Sequence, residues 1–207
     1  MIGIVDYGMG NLRSLRNALD FVGLEVDVFA EASRVQEFSH LIVPGVGAFG
    51  KAMENLRTRG FVAPLRAHAA AGKPLMGICL GMQLLASRSV EFGDHEGLDL
   101  VPGRVVPFEA STSFPVPHVG WNDLTIAKRH PLLAKVNAKR AVDYYYVHSF
   151  HFSAKDQKDV IATSDYGRTF TAIVGRGSVV GTQFHPEKSQ AGGLALLEGF
   201  AEWDGTC

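Results

Sequence analysis

Three times in its first eighty residues the chain runs from a short apolar segment through a glycine turn into a helical pattern. Ile2–Asp6 leads into Gly8 and Gly10, after which Leu12, Leu15, Leu19 and Val22 recur at helical spacing. Leu41–Pro44 leads into Gly45, Gly47 and Gly50 and a helix near Phe49–Leu56, and Leu75–Ile78 leads through Gly77 and Gly81 into a helix over Leu80–Ser87. Glu25–Phe29 reads as a further strand and Phe61–Ala71 as a further helix, with Pro64 acceptable in its first turn. Alternating units of this kind predict an α/β fold, with an open, mainly parallel sheet and helices on both faces. The chain has 23 glycines in 207 residues, where an average of about 7% gives roughly 14–15. Seven of them fall in these three turns, which a doubly wound sheet gathers at the carboxyl ends of its strands.

The second half reads differently. Arg104–Phe108, Val142–His148, Val160–Thr163, Thr169–Val174 and Ser178–Phe184 are predicted strands, and Gly193–Trp203 a closing helix with Leu196, Phe200 and Trp203 on one face. With no linker or repeat, and with Ala110–Pro117 the loosest segment, residues 1–207 read as one α/β domain with an antiparallel, β-rich second half. A net charge of −1 argues against a general nucleic-acid binder or a polybasic membrane binder. No run of about 18 apolar residues suggests a membrane span, and Met1–Asp6 lacks the basic and apolar regions of a signal peptide. Cys79 and Cys207 form no CxxC pair, which favours a reduced, cytoplasmic compartment, with a disulfide between them as the alternative.

The second glycine turn carries two decoys. Gly45-Val46-Gly47-Ala48-Phe49-Gly50 matches GxGxxG, but it follows the third strand, and no acidic residue occurs from Asn55 to Val90 to hold a ribose. Gly45 to Lys51 nearly spells a P-loop, yet Ala52 lacks the hydroxyl that would hold magnesium. What remains is a tight connection whose free N–H groups can face a reacting centre. Gly77-Ile78-Cys79-Leu80-Gly81 is the thiol version of the nucleophile elbow, a strained strand-to-helix turn that needs small neighbours. Its helix start favours a thiolate, and Arg57, Arg59, Arg66, Lys73 and Arg88 are the local cations. The competing reading is a buried structural cysteine.

A cysteine nucleophile needs a base, and the base an orienter. His185 ends the apolar strand Ser178–Phe184, and Glu187 stands two residues on, on the same side of an extended segment. An exposed His-Pro turn is the alternative; Cys79 tips the reading toward a triad of Cys79, His185 and Glu187. His148 and His151 form HxxH, but no third ligand at matching spacing suggests a metal.

Taken together, Pro44–Gly47, Gly77–Gln83 and Phe184–Ser189 resemble the class I glutamine amidotransferases, with three motifs in order across nearly the whole chain. Asp6–Asn11 and Pro117–Asn122 further resemble the branch of that family formed by the glutaminase subunits of imidazole glycerol phosphate synthase, except that Val119 stands where methionine is expected. The resemblance implies a flavodoxin-like fold, L-glutamine as substrate, no cofactor, and a heterodimer with a cyclase subunit that receives ammonia for histidine biosynthesis. It also implies backbone oxyanion donors at Val46, Gly47 and Leu80, and substrate contacts at Gly45, Gln83, His148 and Ser149. Asn11, Trp121, Tyr145 and Lys188 are the implied partner interface and ammonia gate. A glutaminase of another pathway and a stand-alone thiol hydrolase are the rival expectations.

Overall fold

The computed structural model describes residues 1–109, 111–136 and 143–206. Its strands are β1 (Ile2–Val5), β2 (Val26–Phe29), β3 (His40–Gly45), β4 (Leu75–Cys79), β5 (Arg88–Ser89), β6 (His95–Glu96), β7 (Gly103–Pro107), β8 (His118–Asn122), β9 (Thr125–Ile126), β10 (Tyr144–His148), β11 (Phe150–Ala154), β12 (Val160–Asp165), β13 (Thr169–Arg176) and β14 (Val179–Thr182). The α-helices are α1 (Leu12–Phe21), α2 (Phe49–Thr58), α3 (Val62–Ala70), α4 (Leu80–Leu84) and α5 (Gln190–Glu202).

Eight strands form one sheet in the order β2-β1-β3-β4-β14-β13-β12-β9. Pairing from β2 to β14 is parallel, and from β14 outward it is antiparallel. The parallel strands read as continuous apolar runs because both sheet faces are covered, one by the core around Leu15, Leu196 and Phe200 and the other by that around Phe49, Leu56 and Leu65. This is the expected α/β architecture.

Two smaller sheets flank the main one. Strands β8 and β10 pair as an antiparallel ribbon, and β11-β7-β5-β6 form a four-stranded sheet. The chain crosses from the ribbon to the four-stranded sheet at Ser149, between β10 and β11. Strands β5, β6, β8, β9 and β11 were not expected; most are too short or too mixed in polarity to show a period. Val142, the expected start of β10, lies outside the described residues, as do Ala110 and Cys207.

The helix expected over Leu80–Ser87 stops at Leu84. Its last carbonyls are taken by the passing segment Leu98–Val101: Leu98 N donates to Leu84 O at 2.8 Å and Leu100 N to Leu85 O at 2.9 Å. Ser87 N meanwhile donates to Gly103 O in β7. Sheet formation beside the helix therefore ends it. The closing helix begins at Gln190, three residues before the expected Gly193, and buries Leu196 and Phe200 with Trp203 as its C-cap.

Candidate active site

Cys79 is the last residue of β4 and the cap of α4, with φ 56° and ψ −111°. A non-glycine residue there is strained, as an elbow requires. The turn is possible because its neighbours lack side chains. A Cβ on Gly81 would lie 1.8 Å from the Val43 carbonyl oxygen, and one on Gly77 would lie 2.4 Å from the Gly81 oxygen. The register sets Gly45 beside Cys79, so the second and third glycine turns meet. Gly47 has φ +102°, which suits glycine alone among the residues of that turn.

His185 follows β14, the parallel neighbour of β4. Its Nδ1 lies 2.8 Å from Glu187 Oε1, and both side chains are 3% exposed. The pairing does not come from strand alternation. Pro186 opens a 3₁₀ turn over Pro186–Lys188, and that turn swings Glu187 back beneath the imidazole. The backbone of His185 is strapped to β10, its N–H donating to Tyr145 O at 3.0 Å. Ser189 Oγ donates to His185 O at 2.6 Å and accepts from Tyr145 N at 3.0 Å.

Cys79 and His185 line one cavity of about 360 Å³, a volume suited to a small-molecule substrate. Val46, Gly47, Leu80, Gln83, Glu91, His148, Ser149 and Phe150 complete most of its wall. Leu80 opens the first turn of α4, where N–H groups have no intrahelical partner. Gly45 is not on this wall; it lines a separate hole of about 10 Å³, with Asn11, His185 and Glu187.

Three expectations about side chains change. Gln83 reaches the cavity, but its Nε2 donates to Phe150 O at 3.0 Å and to Gln183 Oε1 at 3.1 Å, so its amide hydrogens are spoken for. Both ring nitrogens of His148 are bonded as well, Nδ1 to Phe150 O at 2.9 Å and Nε2 to His118 Nδ1 at 3.0 Å. The five local cations do not face Cys79. Arg57, Arg59, Arg66 and Lys73 cap backbone carbonyls elsewhere, and Arg88 pairs with Asp94.

Glu91 was missed by the sequence reading. It sits on the turn between β5 and β6, is 8% exposed, and accepts from Phe49 N at 2.6 Å, capping α2 while lining the cavity. The one sequence signal was its place as the first acid after the acid-free stretch. The residues suggested for a gate cluster beside His185: Lys188 Nζ lies 5.4 Å above the Tyr145 ring, and Trp121 meets Tyr145 edge-on at 5.8 Å. Asn11 caps α1, accepting from Ser14 N at 3.4 Å. Among the described residues no group of three or more His, Cys, Asp or Glu side chains is placed to hold a metal, and no helix is long and apolar enough to cross a membrane.

Burial pulls the His185 pKa down, but the Cys79 sulfur and the Glu187 carboxylate outweigh it and raise the value to about 9. The protonated ring is thus favoured in the folded state. Its contribution to stability is fully present below the unfolded value near 6.5 and is lost as pH rises through about 9. The thermal midpoint should therefore decline less steeply between pH 7 and 9.5 in Glu187→Gln, whose His185 keeps less of the shift, than in the wild type. Parallel pH dependences for the two proteins would contradict the pairing.

The sequence model described as "Glutamine amidotransferase class-I" matches residues 3–202. The chain is 46% identical over 206 residues to "Imidazole glycerol phosphate synthase subunit HisH" of Sulfurimonas denitrificans, covering 98% of each. It is 49% identical over 202 residues to the protein of the same name in Lacticaseibacillus casei, covering 98% of this chain and 95% of that one. Among solved structures, one described as a glutamine amidotransferase superposes with a TM-score of 0.73 at 21% identity, covering 97% of this chain and 98% of the other. PurLQS from Thermotoga maritima gives 0.76 at 19% identity, over 97% and 96%. These two likenesses speak for the fold.

Proposed function

The chain belongs to the class I glutamine amidotransferases, and from that premise we propose that it hydrolyses L-glutamine with a triad of Cys79, His185 and Glu187. The observation that carries the reading is the convergence at one cavity of a strained cysteine and a buried histidine held by a carboxylate at 2.8 Å. The Cys79 sulfur attacks the carboxamide carbon, and the carbonyl electron pair moves onto oxygen. Backbone N–H groups of Leu80 and of the Val46–Gly47 turn are the donors we assign to that charge; loss of one such donor typically costs about 10²–10³ in rate. The C–N bond then breaks as His185 gives its proton to the departing ammonia, leaving a glutamyl thioester. Water, deprotonated by His185, attacks the thioester and releases glutamate. Glu187 keeps the imidazole oriented through both steps. Glu91 supplies a negative charge for the substrate's α-ammonium group, and the Ser149–Phe150 corner forms the opposite wall.

The close relatives are named as subunits of imidazole glycerol phosphate synthase, and we assign the same place to this chain, as one cytoplasmic amidotransferase domain over residues 1–207. Ammonia passes to a cyclase partner in histidine biosynthesis. The partner face is the outer side of the β8–β10 ribbon, where Val119 and Trp121 are about half exposed beside Val147, together with Tyr145, Lys188 and Asn11. No cofactor takes part in the chemistry.

The test is glutamate release by the chain alone, and again with a cyclase subunit and its nucleotide ligand. A steep rise in rate with the partner is expected. Equal rates with and without the cyclase would favour a stand-alone hydrolase instead.

A further inference from the structure

Two imidazoles face each other at the end of the β8–β10 ribbon. His118 and His148 are directly opposite in the register, and so lie on one face. His118 Nδ1 is 3.0 Å from His148 Nε2, and His148 Nδ1 is 2.9 Å from the Phe150 carbonyl. A carbonyl oxygen can only accept, which fixes His148 as the Nδ1–H tautomer and leaves its Nε2 as an acceptor. His118 must then donate from Nδ1. Each ring is buried, at 3% and 6% exposure. Burial holds both neutral, lowering His118 to about 4 and His148 to about 3, so the chain of bonds persists at neutral pH. The His118 ring is also clamped between Tyr166 at 4.0 Å and Tyr146 at 5.1 Å, both stacked at 22°.

The chain of bonds ends at the cavity. Phe150 O is the carbonyl that Gln83 of α4 also holds, so the corner between β10 and β11 is fixed from two sides. One side is the helix that follows Cys79, and the other is the pair of histidines. His118 itself does not line the cavity, whereas His148, Ser149 and Phe150 do.

We propose that His118 is a positioning residue: by donating Nδ1–H to His148, it sets the His148–Phe150 corner that forms one wall of the glutamine pocket. Its neighbours Val119 and Trp121 point outward on the same strand, so the strand that meets the partner also fixes the substrate wall. The proposal rests on the reading of the cavity as a glutamine site.

Two measurements test it. In the partner-bound enzyme, His118→Phe keeps the stacking but removes the donor; KM for glutamine should rise on the order of 10-fold with kcat nearly unchanged. His118→Asn, whose amide can occupy the Nδ1 position, should restore most of the loss. An unchanged KM, or a parallel fall in kcat and thermal stability that Asn does not rescue, would overturn the proposal. The second measurement needs no variant. Nitrogen-15 spectra of the native protein at pH 7 should show both histidines as neutral Nδ1–H tautomers, and an Nε2–H tautomer at either would overturn it. Failure of these tests with wild-type glutaminase activity intact removes the positioning role alone, whereas absence of glutamine hydrolysis by the wild-type complex removes the glutamine reading.

Discussion

Replacing Cys79 by alanine should reduce glutamine hydrolysis by at least about 10³-fold while leaving the fold in place, because every covalent step runs through its sulfur. The fold should survive because alanine fills less space at a position that is 6% exposed and makes no disulfide among the described residues. Removal of the side chain leaves the strained φ of 56° in place, so stability should change little. Glutamate release, followed with the partner present, measures the first part, and the thermal midpoint measures the second. The same variant supplied with external ammonia should still support the partner's ring closure, since only the ammonia source has been removed. Turnover of glutamine near the wild-type rate would show that another group is the nucleophile.

The second large effect is structural and lies two residues away. Gly81→Ala should destabilise the protein by about 3 kcal/mol or more, beyond ordinary overpacking. The added Cβ would stand 1.8 Å from the Val43 carbonyl oxygen, in the middle of β3. A central strand paired on both sides cannot retreat by the ångström or more required without breaking its ladder. Against a typical total of about 5–15 kcal/mol this is a large fraction. Gly23→Ala is the control. That glycine also has a positive φ, +75°, but nothing lies within 4 Å of its would-be Cβ. Its substitution should cost only about 1 kcal/mol, the conformational penalty by itself. Urea denaturation of the two variants separates close approach from backbone preference, and equal midpoints would contradict the packing explanation.

The contrast explains which features of the fold the residues themselves announce. Close backbone approach demands glycine at fixed offsets, so the Gly77–Gly81 pair and the apolar strands before each turn were readable along the chain. The pairing of His185 with Glu187 was readable too, because the partners are two residues apart, though a proline-led turn rather than an extended strand makes the contact. Relations across long separations were not readable. His118 meets His148 over thirty residues of chain, and nothing in either segment announces the other. Glu91 reaches the cavity from a hairpin of two-residue strands, too short to leave a period. Gln83 stands one helical turn after Cys79, where the resemblance implies a substrate contact, yet its amide is committed to Phe150 and Gln183, which only tertiary packing decides. Arg57 and Arg66 are close to Cys79 in sequence but turn away to cap carbonyls around Glu96–Leu98.

The most direct test of the central claim is labelling by an electrophilic glutamine analogue, followed by peptide mass mapping. One equivalent should attach to Cys79, and glutamine should slow its attachment, because the substrate and the analogue compete for the same cavity and the same sulfur. Labelling at Cys207, or labelling of Cys79 that glutamine does not slow, would contradict a Cys79-centred glutaminase.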